Sequence, residues 1–185
     1  DINLEQASGK RIEGNDQELG DYAGFASVEL RPMNELVIKP GIRYGYNTKY
    51  TAPVAPSLNA KYTLNENTSL RASYAKGFRA PSLKELYFVF DDINHSLFGN
   101  PDLEAEKSDN FSASLSHKLM WKEFLVKAEL SGFYNDIVNQ ISFAQSSSFG
   151  GGDTLVYFNV GEFKTQGLNA NFSLIFDNWR INVGG

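Results

Sequence analysis

The feature that most constrains this chain is a hydropathy period of two. Over residues 68–78, Leu70, Ala72, Tyr74 and Phe78 alternate with Ser69, Arg71, Ser73 and Gly77. Over 111–119, Phe111, Ala113, Leu115 and Leu119 oppose Ser112, Ser114, Ser116 and Lys118. Residues 36–46, 54–64 and 167–176 repeat the beat. Successive strand side chains point to opposite faces, so each stretch reads as a strand with one apolar and one polar side. Residues 22–30 and 124–137 follow less cleanly, with Phe25, Leu125 and Phe133 on the polar side. Pro40 and Pro56 lack a ladder donor and mark bulges or strand starts near a rim.

The connections carry the topology. Short links at 31–35, 65–67, 120–122 and 177–178 alternate with long ones at 47–53, 80–107 and 138–161. Tight turns at one rim and long loops at the other describe an antiparallel up-and-down transmembrane β-barrel. A soluble β-sandwich also alternates. The Ser-, Asn- and Gly-rich polar face and the regular loop alternation favour the barrel. Composition agrees: a mean hydropathy of -0.34 with no apolar run near the ~18 residues of a spanning helix leaves barrel strands available. Aromatics make up 14% of the chain, which suits interfacial girdles. The absence of cysteine removes disulfides and thiolate metal sites. A net charge of -5 argues against nucleic acid as a partner. About eight strands are legible, enough to close a small barrel on their own.

Two boxes stand out within this ladder. Phe78-Arg79-Ala80-Pro81 ends one strand, and Asn100-Pro101-Asp102-Leu103 precedes the next. They resemble the FRAP and NPDL boxes of TonB-dependent outer-membrane receptors, which import scarce nutrients into Gram-negative cells. The resemblance implies that residues 1–185 are one partial domain, a piece of a 22-stranded barrel in the bacterial outer membrane. The N-terminal plug domain and the remaining strands would lie elsewhere. It also implies TonB and outer-membrane lipid as partners, a large nutrient ligand (ferric siderophore, haem or cobalamin) and, for some members, a surface lipoprotein. A passive porin-like or structural barrel is the alternative, told apart by the presence of a plug and a TonB box. The isolated stretch is expected to aggregate or pair its open edges with another copy.

Candidate ligand contacts lie between the boxes. The resemblance makes His95 a candidate ligand of haem iron, and a neutral imidazole suits that task. Tyr87, Phe88, Phe90 and Phe98 can grip an apolar or aromatic ligand, or pack the loop on itself. Asp91 and Asp92 invite a calcium reading, although adjacent acids usually mark a solvated loop. The boxes also have a structural reading: Pro81 and Pro101 fix turns, Gly77 and Gly99 permit unusual dihedrals, and Arg79 pairs with Glu104 or Glu106 at the rim. No cofactor is expected. No nucleophile elbow, phosphate loop or HExxH pair occurs, so no enzymatic activity is expected either.

Overall fold

The computed structural model describes residues 1–14, 16–92, 95–145 and 153–185, without the side chains of His95 and Asp153. In chain order the elements are β1 (Ile2–Ser8), β2 (Asp16–Ser27), β3 (Leu30–Met33), β4 (Leu36–Asn47), β5 (Ala55–Asn65), β6 (Thr68–Arg79), α1 (Leu83–Tyr87), β7 (Val89–Asp91), β8 (His95–Phe98), β9 (Glu106–Trp121), β10 (Phe124–Gln145), β11 (Asp153–Phe176) and β12 (Trp179–Gly184). They form one 12-stranded sheet, curled into part of a barrel, ordered β1-β2-β4-β5-β6-β9-β10-β11-β8-β7. β12 pairs with β11, and β3 pairs with β4. Every expected strand is present. The sheet adds β1 at one edge and the short β7–β8 hairpin inside the long link at 80–107, while β12 follows the expected turn at 177–178.

Register explains why the alternation was so clear. Across β5, β6, β9 and β10, Leu58, Tyr74, Phe111 and Tyr134 face one another, as do Tyr62, Leu70, Leu115 and Leu130. One face is therefore apolar from edge to edge, and large side chains on it such as Leu168, Trp121 and Trp179 stand exposed. The opposite face aligns Asn59, Ser73 and Ser112 in adjoining strands, with Ser114 opposite Ser131 in the next row. An outward apolar band and a polar interior are the two faces of a membrane barrel.

The height of the band can be measured along β10. At the tight-turn end, Phe124 stacks on Phe176 at 4.5 Å and lies 6.0 Å from Trp121. Ten residues on, Tyr134 lies 6.5 Å from Phe111, which meets Tyr74 at 4.8 Å. At ~3.4 Å per residue the rows are about 34 Å apart along the strand, or about 26 Å vertically at a tilt of roughly 40°. That matches the ~25 Å apolar band of outer-membrane barrels.

Several details differ from the sequence reading. The link at 138–161 is largely strand: β10 runs to Gln145 and β11 begins at Asp153, so together they raise a tall arm above the aromatic row. Asn139, at φ 59, interrupts the ladder between Val138↔Glu162 and Gln140↔Val160. Pro40 stands where the partner strand breaks: β2 ends opposite Gly41, β3 begins opposite Ile38, and the Val28 amide donates to the Pro40 carbonyl at 3.1 Å. Gly77 and Gly99 do not adopt positive φ. What Gly99 supplies is close approach, since a Cβ there would lie 2.6 Å from the Leu86 carbonyl carbon.

Candidate functional site

Residues 80–92 and 95–105 form a strap at the long-loop rim, and among the described residues they contain nearly all of the buried apolar side chains. Pro81 cannot continue the β6 ladder, and Ser82 then opens α1 with a capping box. The Ser82 hydroxyl accepts from the Glu85 amide at 3.3 Å, while the Glu85 carboxylate accepts from the Ser82 amide at 2.8 Å. Five helical residues would be marginal alone. Here Leu83 and Leu86 are buried at 4% and 0% exposure, with Pro81, Leu103 and Ala105 beside them. Gly99 presses against the α1 backbone, its amide donating to the Phe88 carbonyl at 2.7 Å. Asn100 then turns the chain: its side chain accepts from the Asp102 amide and donates to the Tyr157 carbonyl, both at 3.0 Å.

Arg79 locks both ends of the strap. Its Nε and Nη2 donate to the two Glu106 oxygens at 2.8 and 2.7 Å, and its Nη1 donates to both Glu85 oxygens at 3.0 and 3.1 Å. Of the two rim partners expected from sequence, Glu106 takes the guanidinium. Glu104 instead accepts from Asn139 at 2.5 Å. Burial pushes the Glu85 carboxyl upward, but hydrogen bonds from Arg79 and Ser82 outweigh it and hold the group below the usual carboxylate range. The first box and the start of β9 are thereby joined to α1 through one side chain.

A belt of cations on aromatic rings crosses the strap. Lys49 Nζ donates to the Tyr87 hydroxyl at 2.9 Å and lies 4.9 Å from that ring's centre and 5.7 Å from Tyr50's. Arg11 sits 5.0 Å over Phe90, and Lys84 5.7 Å over Phe88. Phe98 faces Val89 across the β7–β8 hairpin. The strap is also sewn to both sides of the sheet. The Val89 amide donates to the Arg11 carbonyl at 2.8 Å, β8 lies parallel against the start of β11, and Tyr50 donates to the Leu103 carbonyl at 2.9 Å. Burial, with Tyr87 and Glu85 nearby, pushes the Tyr50 phenol up to about 12.

The structure thus places Tyr87 and Phe88 beside the second box, Lys49 bridging the Tyr87 hydroxyl and the Pro101 carbonyl, while Phe90 pairs with Leu97 in the β7–β8 hairpin. His95 opens β8 opposite Asp153, but its side chain lies outside the described residues. Asp91 accepts from Ser96 at 2.5 Å, and no group of three metal-ligating side chains occurs among the described residues. Lys49, Tyr50 and Arg11 escaped sequence reasoning, because they reach the strap from turns 38 or more residues away. One signal was available: buried Asn47 accepts from the Lys49 and Tyr50 amides at 2.9 and 2.8 Å, a turn that asparagine typically builds.

An edge-to-edge apolar band between aromatic rows, tight turns below and a stitched strap above define a strand segment of a bacterial outer-membrane barrel. The model of the family described as TonB dependent receptor-like, beta-barrel matches residues 5–185, and the chain belongs to that family. It is 33% identical over 177 residues to the hemoglobin and hemoglobin-haptoglobin-binding protein of Haemophilus ducreyi, covering 85% of this chain and 18% of that protein. It is 28% identical over 181 residues to the ferric enterobactin receptor PirA of Pseudomonas aeruginosa, covering 89% and 24%. The chain therefore spans a quarter or less of these curated relatives. The crystal structure of the siderophore receptor PirA from Pseudomonas aeruginosa shares the fold, with a TM-score of 0.82 at 21% identity over 99% of this chain and 37% of that one.

Proposed function

We propose that this chain is the strap-bearing wall of a receptor that takes up an anionic, ring-bearing iron complex, a ferric siderophore or haem, using energy delivered by TonB. The belt of Arg11, Lys49 and Lys84 over Phe90, Tyr87, Tyr50 and Phe88 carries the reading. Cations held on aromatic faces offer charge and flat apolar surface together, the recognition chemistry of a catecholate or a porphyrin carboxylate. Iron-complex and haemoglobin binding by relatives supports the same class. Cobalamin, whose one anionic group is a phosphodiester away from its amide-fringed ring, fits this belt less well.

In this reading the strap and the β10–β11 arm form part of the outer binding surface, and a plug domain outside residues 1–185 fills the lumen. Where the ligand is haem, His95 is the axial-ligand candidate. The test is uptake of radiolabelled iron, as ferric catecholate and as haem, by cells expressing the full-length receptor with and without TonB. Uptake lost without TonB, and ligand affinity weakened about tenfold by Lys49→Met with Arg11→Met, is expected. Passage unaffected by TonB would make the protein a passive pore. A Soret titration of the full-length receptor beside His95→Ala separates haem from siderophore.

A further inference from the structure

The inward wall of the sheet carries more cations than the acids beside them balance. Lys61 stands directly opposite Arg71 across β5–β6, and Lys118 directly opposite Lys127 across β9–β10. Lys39 and Arg180 share that face, and among the described residues none of the six side chains has an ion-pair or hydrogen-bond partner. The acids nearby do not offset them. Glu29 is bound to Arg31 at 2.8 Å, leaving Glu129 near the two facing pairs. Serines with Asn59, Val37 and Phe133 line the wall between them, around a groove of about 590 Å³. This positive strip belongs to a chain whose net charge is -5.

Like charges directly opposite on neighbouring strands destabilise a sheet. Two such pairs on one wall therefore call for an external counter-charge. Its extent is set by register: Arg71 faces Ser114, four residues from Lys118 on β9, so the pairs lie roughly 14 Å apart along the strand. Lys39 and Arg180 extend the strip onto β4 and β12. A single small anion cannot neutralise so wide a strip, whereas a folded surface can. The matched stretch is only 18% and 24% of two curated relatives, so most of such a polypeptide lies outside it.

We infer that this wall docks an acidic polypeptide surface supplied by the part of the receptor outside residues 1–185. The inference rests on the reading that such a segment fills the lumen, and adds the sign of its contact face and the side chains that receive it. The detergent-solubilised full-length receptor is treated with a carbodiimide, which joins lysine amines only to touching carboxylates, and the joined peptides are mapped by mass spectrometry. Lys164 with Asp136, 3.7 Å apart, is the internal standard. Lys61, Lys118 and Lys127 are expected to join aspartates or glutamates outside residues 1–185, with each link lost when its lysine is changed to glutamine. If the standard forms while these lysines stay unjoined, or join only Glu129, the inference is overturned. Their protection from acetylation only when an iron complex is bound would overturn it too, assigning the strip to a small ligand. Iron uptake is not the readout, so failure here leaves the transport proposal standing.

Discussion

Replacing Arg79 should release the strap without unfolding the sheet. The guanidinium makes four charge-assisted hydrogen bonds to two carboxylates, whose side chains are only 16% and 17% exposed, while its own is 45% exposed. A fully buried pair broken from one side costs about 3–5 kcal/mol and an exposed pair about 0–1. Partial exposure places Arg79→Met between these limits, at about 2–3 kcal/mol. At about 1.4 kcal/mol per decade, strap opening should rise roughly 30- to 150-fold. Hydrogen exchange on the full-length receptor in lipid reads this directly. Amides of α1 and of the 99–105 turn should exchange faster by that factor, while those of β5 and β6 between the aromatic rows hold their rates. Arg79→Lys keeps the charge but loses the two-pronged geometry, and should fall between wild type and Arg79→Met. A change under about threefold, or one spread evenly over the sheet, would refute the view of Arg79 as the lock.

Three further outcomes follow from the same geometry. Gly99→Ala places a methyl against the α1 backbone and should destabilise the strap by about 1–3 kcal/mol, read as faster exchange at Leu86 and Phe88. Asn139→Val forces a β-branched residue to φ 59 and should cost about 1–3 kcal/mol, read as loosening of the β10–β11 arm by limited proteolysis, whereas Asn139→Gly keeps φ 59 without strain, loses only the exposed bond to Glu104, and should loosen the arm less. Because Glu85 is held below its unfolded value near 4.5, its contribution is complete above that pH and lost as the pH falls through the lower folded value. Strap protection, corrected for the intrinsic exchange rate, should therefore fall on acidification below about pH 4.5, and Glu85→Gln should reduce that dependence, leaving the share of Glu106.

How much of this was legible in the sequence depends on where each residue meets a change of solvent. Between the aromatic rows one face of every strand meets lipid and the other a polar lumen, so Leu70, Leu115 and Leu130 must alternate with Arg71, Ser114 and Ser131. Above the upper row that contrast ends. The Gln140–Ile141–Ser142–Phe143 stretch of β10 keeps strand pairing and register with a weaker beat, and Asn139 drops out of the ladder just where the pattern would have had to continue. The arm consequently read as a loop. The helix is too short to show a period, although Ser82 and Glu85 spell its capping box. The strap's role as a packed unit was visible in its prolines and glycines, but Lys49 and Arg11 were not, because distance in sequence hides a cation that folding brings onto an aromatic face.

The β10–β11 arm deserves a mechanical description. Eleven residues of β10 separate Tyr134 from Gln145, about 37 Å of contour, so the hairpin rises beyond the lipid by about as much as the strand spends inside it. Hydrogen-bonded rung by rung to β11, with β8 bonded along the flank of β11, it is a braced beam rather than a tether. Anything gripping its upper end pulls on β9 and β11 through continuous strands. A load applied at its upper end would thus reach the barrel wall through continuous strands, with Asn139, left out of the ladder, at the junction of arm and wall.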